Sequence, residues 1–164
     1  ASEPGESAMK LFLSNFTQKI DKKGRVSVPS KFRDVLEEES FRGVGVAQPL
    51  SDLPCLEGYG SSEIERIASS LERMNPLTES HDSLATAVLA SLRQAPFDGE
   101  GRIMLNEQEI DAAGLDGLAL FAGMGKKFQI WNPDRFAERQ AEARRRAREN
   151  ADQLPWVNAK EGGS

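Results

Sequence analysis

Short alternations of apolar and polar residues run along much of the chain and predict β-strands separated by turns. Residues 26–28 alternate as a half-buried strand does, and residues 44–46 and 56–59 predict two further strands. Residues 118–122 are apolar throughout, which is typical of a strand buried on both faces. That stretch is far shorter than a membrane span, so we expect no membrane segment.

Helical spacing of apolar residues occurs between these strands. A short helix is predicted over 31–39, and an amphipathic helix is predicted over 82–93. Ser62 and Glu65 have the spacing of a capping box and mark the start of another helix. The last helix is predicted over 133–152, and it is polar and rich in alanine.

The order of these elements repeats within the chain. Residues 21–28 read DKKGRVSV and residues 98–105 read DGEGRIML, with an offset of 77. Residues 56–66 align with 128–138 at an offset of 72, because the first copy carries five extra residues. The repeat predicts two modules with connecting and terminal segments: a flexible tail 1–9, a first module 10–75, a connecting helical segment 76–92, a second module 93–150 and a flexible tail 151–164.

Each repeat opens on a turn with specific chemistry. Aspartate favours the first position of a type I turn, and glycine at the fourth position accepts a positive φ. The sequence Asp21-Lys22-Lys23-Gly24 therefore predicts a tight connection before the strand. Residues 98–101 repeat the aspartate and the glycine.

Charge is distributed unevenly around these turns. The formal net charge is −5, which for the whole chain argues against a nucleic-acid-binding protein. Residues 10–33, however, carry seven basic residues and one acidic residue, so their net charge is +6 and the remainder carries −11. A concentrated cationic segment indicates contact with phosphates, although a lysine-rich turn that only aids solubility explains the same charge. The second turn has no such excess, so Arg102 either reaches DNA alone or pairs with Asp98.

Residues for catalysis or metal binding are scarce. Cys55 is the single cysteine and His81 the single histidine, which excludes an internal disulfide and a closed zinc site. We interpret His81 as a helix-start residue, 37–39 as a solvated helix end and 123–125 as a hairpin turn. The sequence therefore predicts no enzyme, no cofactor, no metal and no small-molecule substrate, and a cytoplasmic location.

Several stretches together resemble one known family. They are Phe12-Leu13-Ser14, the segment from Lys22 to Pro29, Met74-Asn75-Pro76, the segment from Asp98 to Ile103 and the segment from Phe128 to Pro133. Over about residues 10–150 the chain resembles the MraZ family. The resemblance implies an α+β fold in which two AbrB-like swapped-hairpin half-modules form one pseudo-symmetric β-barrel flanked by helices.

The resemblance also implies a function. Proteins of this kind are bacterial transcriptional regulators that form homo-oligomeric rings and bind direct repeats in double-stranded DNA. The DNA lies upstream of the division and cell-wall gene cluster, so the expected role is repression of the protein's own operon at the nucleoid. By position, the implied DNA-binding residues are Lys19, Lys22, Lys23, Gly24, Arg25 and Arg102. Arg25 suits a base edge because its planar fork matches guanine, whereas Lys22 and Lys23 suit phosphates.

Other functions remain open from the residues. A ring-forming scaffold could bind a protein partner through the helix 133–152, and the basic run 144–148 is either a solvated helix end or a contact surface. An AbrB-type antitoxin would need only one module. An enzyme is the least supported class because no nucleophile or metal cluster is present.

Overall fold

The computed structural model describes residues 10–155 and contains eight strands and five α-helices within that range, of which the helix at 107–113 is not predicted from the sequence. The strands are β1 (Asn15–Lys19), β2 (Arg25–Ser27), β3 (Gly43–Ala47), β4 (Leu56–Tyr59), β5 (Arg93–Pro96), β6 (Arg102–Met104), β7 (Leu118–Gly123) and β8 (Phe128–Trp131). The helices are α1 (Ser30–Leu36), α2 (Ser61–Glu72), α3 (Glu79–Leu84), α4 (Glu107–Ala113) and α5 (Pro133–Glu149). A π-helical turn over Ala85–Leu89 follows α3. The structure is therefore α+β.

Two compact units divide the chain after Asn132. The first unit holds the eight strands and α1–α4, and the second holds α5. No helix within residues 10–155 has the length and apolar character needed to cross a bilayer. The tail expected at 1–9, and the part of the other expected tail from residue 156 on, lie outside the described residues.

The strands of the two repeats are interleaved. The larger sheet is antiparallel and has the order β1-β7-β8-β4-β3-β5, and β2 pairs with β6 in a separate ribbon. Each of the strands β1–β4 has a counterpart in the other repeat among β5–β8. When every strand is replaced by its counterpart, the order of the sheet reads in reverse and the same strands remain paired. Glu57 and Gln129 are equivalent in the repeat and also face each other across β4 and β8. A pseudo-twofold axis therefore passes between these two strands, and the pairing of β1 with β7 and of β3 with β5 joins the halves.

The strands do not close into the single barrel that the resemblance implies. They form a six-stranded sheet, whose edges are β1 and β5, and a two-stranded ribbon. One isolated bridge, between Ile20 and Val26, joins the ribbon to β1. On the side away from the turn the two strands diverge, because Lys19 pairs with Leu118 of β7 and Ser27 pairs with Arg102 of β6.

The core is built from both sheets and two helices. Val26 and Ile103 from the ribbon are almost completely buried, as are Phe32 from α1 and Phe121 and Phe128 from the large sheet. Phe32 packs against Phe121 and Phe128 with ring centroids 6.4 and 5.1 Å apart. Burial of such side chains is the largest stabilising contribution in a domain of this size. The ribbon is thereby fixed to the core through its inner face.

A buried polar cluster surrounds the pseudo-twofold axis. The Glu57 carboxylate accepts hydrogen bonds from Tyr59 (2.8 Å) and Gln129 (3.2 Å) and pairs with the Lys127 ammonium at 2.7 Å. Burial alone would raise the pKa of Glu57, but the bonds from Lys127, Tyr59 and Gln129 outweigh it and hold that pKa below its ordinary value. The charged carboxylate is thus fully compensated, and we assign it a structural role.

Helix boundaries depart from the sequence prediction in several places, and α1 and α5 end at Leu36 and Glu149, before the predicted ends at 39 and 152. The capping box of Ser62 and Glu65 is wrong: Gly60 is the N-cap, and the Ser62 amide donates to the carboxylate of Glu39 at 3.0 Å. Glu39 reaches this position from the end of the α1 segment, so the prediction of a solvated acidic helix end is wrong for Glu39. The helix predicted over 82–93 begins earlier and ends earlier, because residues from Arg93 on pair with β3.

The second unit is a polar helix. In α5 no side chain is buried. Arg145 and Arg146 are exposed and pair with Glu142 at 2.6 and 2.8 Å. These ion pairs account for two of the arginines in the run 144–148, as expected for a solvated helix end.

Candidate nucleic-acid interface

The first turn is held by the side chain of Asp21. One carboxylate oxygen accepts the backbone amides of Lys23 and Arg25, both at 2.9 Å, and the other accepts Nε of Arg25 at 2.6 Å. The Gly24 amide donates to the Asp21 carbonyl at 3.0 Å, and Gly24 has a φ of +85°. The prediction of a tight turn that requires glycine at position 24 is confirmed.

The second turn repeats this geometry. Asp98 accepts the amides of Glu100 (2.8 Å) and Arg102 (2.9 Å), and it accepts Nε of Arg102 at 2.7 Å. Gly101 has a φ of +75° and donates to the Asp98 carbonyl. The sequence left open whether Arg102 reaches DNA or pairs with Asp98, and the structure shows the pairing with Asp98. Because Arg25 makes the same bond with Asp21, this pairing does not distinguish the two arginines.

The two turns lie at opposite ends of one ribbon. Arg25 faces Met104 across β2 and β6, and Ser27 faces Arg102. These four residues alternate with the buried Val26 and Ile103, so they form the outer face of the ribbon. Standard strand spacings place the Cα atoms of Arg25 and Arg102 about 8 Å apart. A two-stranded ribbon with this face can enter a groove of DNA.

The predicted basic residues of the first turn are exposed around Arg25. Lys22 and Lys23 occupy the tip of the turn, and Lys19 ends β1 two residues before Asp21. Within residues 10–155 none of these three ammonium groups pairs with a carboxylate. Gly24 is buried and shapes the backbone. We therefore assign the lysines to charge and Gly24 to geometry.

Hydrogen bonding fixes the charge state of both turns. The backbone amide of Arg25, followed by its side chain and the Lys23 amide, holds the pKa of Asp21 below its ordinary value. The amides of Arg102 and Glu100 do the same for the pKa of Asp98. The Asp98 carboxylate in turn raises the pKa of Arg102. Both turns consequently keep their ion pair throughout the physiological pH range.

Arg33 is a cation near this surface that was not singled out as a site residue. It lies in α1, and its Nε donates to the Val28 carbonyl at 3.1 Å. A Cβ atom placed on Gly101 would lie 2.6 Å from Nη1 of Arg33. The contact joins a helix of the first repeat to the turn of the second. Sequence separation conceals it, since the two positions are 68 residues apart in the chain.

Within residues 10–155 no group of three histidine, cysteine, aspartate or glutamate side chains is placed to hold a metal ion. Cys55 is buried. His81 lies in the first turn of α3, as predicted, and its amide donates to the Thr78 hydroxyl at 3.2 Å. The arginine side chains on the ribbon can donate hydrogen bonds to anions and to other acceptors.

The sequence matches one known protein family in both repeats. The family model described as "MraZ protein, putative antitoxin-like" matches residues 11–86 and again residues 89–154. The transcriptional regulator MraZ of Rickettsia bellii (strain OSU 85-389) is 39% identical over 142 residues, which cover 86% of this chain and 94% of that protein. The transcriptional regulator MraZ of Pelagibacter ubique (strain HTCC1062) is 37% identical over 146 residues, covering 89% and 94%. That of Beijerinckia indica is 39% identical over 146 residues, covering 89% and 88%. The chain belongs to the MraZ family.

Proposed function

We propose that this protein is a transcriptional regulator that binds double-stranded DNA sequence-specifically through the first Gly-Arg turn. The observation that carries the proposal is the rigid, exposed and cationic turn at 21–25 on the outer face of a two-stranded ribbon. The names of its relatives, transcriptional regulators, support the same role. A cytoplasmic, nucleoid-associated location follows from this function.

The residues of the first turn have separate roles. Arg25 donates a hydrogen bond from Nε to the Asp21 carboxylate. Its two terminal nitrogens make no hydrogen bond within residues 10–155, so they can form a bidentate contact with guanine. Lys19, Lys22 and Lys23 contact phosphates, and Gly24 fixes the backbone of the turn that presents them. Arg102 is the equivalent of Arg25 and makes the weaker contact, because Asp98 and Glu100 compete for its guanidinium at 2.7 and 3.7 Å.

Assembly supplies the affinity that one turn lacks. The AbrB-like swapped-hairpin arrangement is supported by the exchange of strands between the two repeats. Several copies joined in a ring bind direct repeats in DNA, and each contact after the first is intramolecular, which raises avidity about 10²- to 10⁴-fold. We place the DNA upstream of the division and cell-wall gene cluster, with repression of the protein's own operon as the outcome. Neither a cofactor nor a small-molecule substrate takes part.

The test is a titration of the purified protein against DNA from upstream of its own gene at two salt concentrations. We expect Arg25→Ala to abolish specific binding, and Arg102→Ala to weaken it less, with the oligomer unchanged by light scattering. The logarithm of the affinity of the wild type should fall by about 0.9 per neutralised phosphate for each log unit of salt.

Three results would contradict the proposal or part of it. Wild-type affinity in Arg25→Ala would show that the first turn does not recognise the DNA sequence. Binding of a protein partner that is insensitive to Lys22, Lys23 and Arg25 but lost on truncation of α5 would favour the scaffold function instead. Equal defects in Arg25→Ala and Arg102→Ala would remove the difference between the turns.

A further inference from the structure

We infer that Arg33 is a DNA-phosphate contact that helix α1 of the first repeat supplies to the second turn. The inference rests on the proposed DNA-binding function and adds a residue that the repeat pattern does not indicate. Its basis is the position of the Arg33 guanidinium beside Gly101, one residue before Arg102.

The second turn needs an external cation. Its own five residues contain Asp98 and Glu100 against Arg102 alone, so it carries a net negative charge, whereas the first turn has three cations and one carboxylate. Arg102 is engaged by both carboxylates of its own turn. Without further positive charge, this end of the ribbon would repel a phosphate.

Arg33 is held where it supplies that charge. Its Nε donates to the Val28 carbonyl at 3.1 Å, and the Val28 amide donates to the Gly101 carbonyl at 3.2 Å. The side chain is partly exposed. Within residues 10–155 it forms no ion pair with a carboxylate, so its terminal nitrogens are available to an anion. One hydrogen bond thus orients the guanidinium without neutralising it.

The two repeats differ at the position of Arg33, so the contact between Arg33 and the second turn has no counterpart at the first turn. An offset of 77 places Ile110 of α4 at the position of Arg33, and its Cδ1 would lie 3.7 Å from a Cβ atom on Gly24. The first turn, which carries its own lysines, therefore packs against an apolar residue. The second turn, which lacks lysines, packs against arginine.

The experiment compares four variants of the full-length protein on the same upstream DNA. Arg33→Gln removes the charge but keeps a donor for the Val28 carbonyl, and Arg33→Lys keeps the charge. Arg73→Gln is the matched control, because Arg73 is exposed after α2 and its loss changes the net charge equally. Arg25→Ala tests the proposed function in parallel.

We expect Arg33→Gln to weaken binding about three- to tenfold at low salt. The salt slope, which is the fall in the logarithm of the affinity for each log unit of salt, should decrease by about 0.9 for each subunit that contacts the DNA. The loss should be similar for the specific site and for unrelated DNA, since phosphates carry no sequence information. Arg33→Lys should bind within about twofold of the wild type, and Arg73→Gln should keep the wild-type slope. Urea denaturation of each variant shows that it is folded.

An unchanged salt slope in Arg33→Gln would overturn the inference, and so would a loss in Arg33→Lys as large as that in Arg33→Gln, which would assign Arg33 to positioning the turn. If Arg25→Ala abolishes binding while Arg33→Gln does not alter it, only the role of Arg33 fails. If the wild type shows no salt-dependent binding to the DNA, the proposed function fails as well.

Discussion

The turn at 21–25 and the turn at 98–102 have matching hydrogen bonds and opposite net charges. In each, an aspartate accepts two backbone amides and one arginine Nε, and a glycine takes a positive φ. The second and third positions of the turn contribute no side chain to this network. Their charge can therefore change without altering the backbone. Lys22 and Lys23 occupy these positions in one turn, and Gly99 and Glu100 occupy them in the other.

The same principle applies in the core beside the ribbon. Phe16 and Phe32 form an edge-to-face aromatic pair with centroids 5.6 Å apart. The equivalent positions, at an offset of 77, are Arg93 and Glu109, which form an ion pair with two hydrogen bonds of 2.6 and 3.0 Å. An apolar contact and a charged contact thus support equivalent strands and helices.

The largest expected effect is on stability, and it distinguishes the aromatic contact of Phe32 from the ion pair of Glu109. Phe32→Ala should lower the free energy of unfolding by about 3–5 kcal/mol, because it empties a large site in the aromatic cluster. Glu109→Ala should cost about 1–3 kcal/mol, since it removes the partner of Arg93 and the capping box with Asn106. Urea denaturation at low and high salt measures both. The cost of Glu109→Ala should fall with salt and that of Phe32→Ala should not, and equal salt dependence would contradict this comparison.

The glycines of the two turns should differ less strongly. Gly24→Ala forces a positive φ on alanine and places its Cβ against the Leu105 carbonyl, so we expect a loss of about 2–4 kcal/mol. At Gly101 the Cβ meets a side chain, that of Arg33, which can shift without moving the backbone, so the loss should be about 1–2 kcal/mol, mainly from the φ. Denaturant midpoints of the two variants measure this difference. A larger loss for Gly101→Ala would show that Arg33 is rigidly held.

The smallest effect concerns pH, where the two turns should behave alike. Both aspartates have a lowered pKa in the folded protein, chiefly through the amide of the following arginine. Their contribution to stability is therefore complete above the unfolded pKa and is lost as the pH falls through the folded pKa, below about pH 3.9. The deficits of Asp21→Asn and Asp98→Asn at pH 7 should both shrink towards zero in acid. Denaturation at pH 7 and pH 3 checks this, and a deficit unchanged at pH 3 would argue against it.

Local chemistry was predictable and long-range contacts were not. The Asp-to-Gly spacing predicts each turn because the hydrogen bonds that close it lie within five residues. Ser62 was assigned to a capping box with Glu65, but Glu39 binds its amide instead. A carboxylate 23 residues away gave no signal in the sequence. Arg33 illustrates the same limit, since it faces a turn of the other repeat.

By itself, the sequence determined the two repeats, the turns that open them and the concentration of positive charge in residues 10–33, since all three depend on residue type and short spacing. Only the tertiary structure decided that β2 and β6 pair in one ribbon, so that Arg25 and Arg102 share a face. It also decided which helix lies against which turn. Pairing and packing depend on which buried surfaces fit together across the chain, and that fit is set by the fold as a whole.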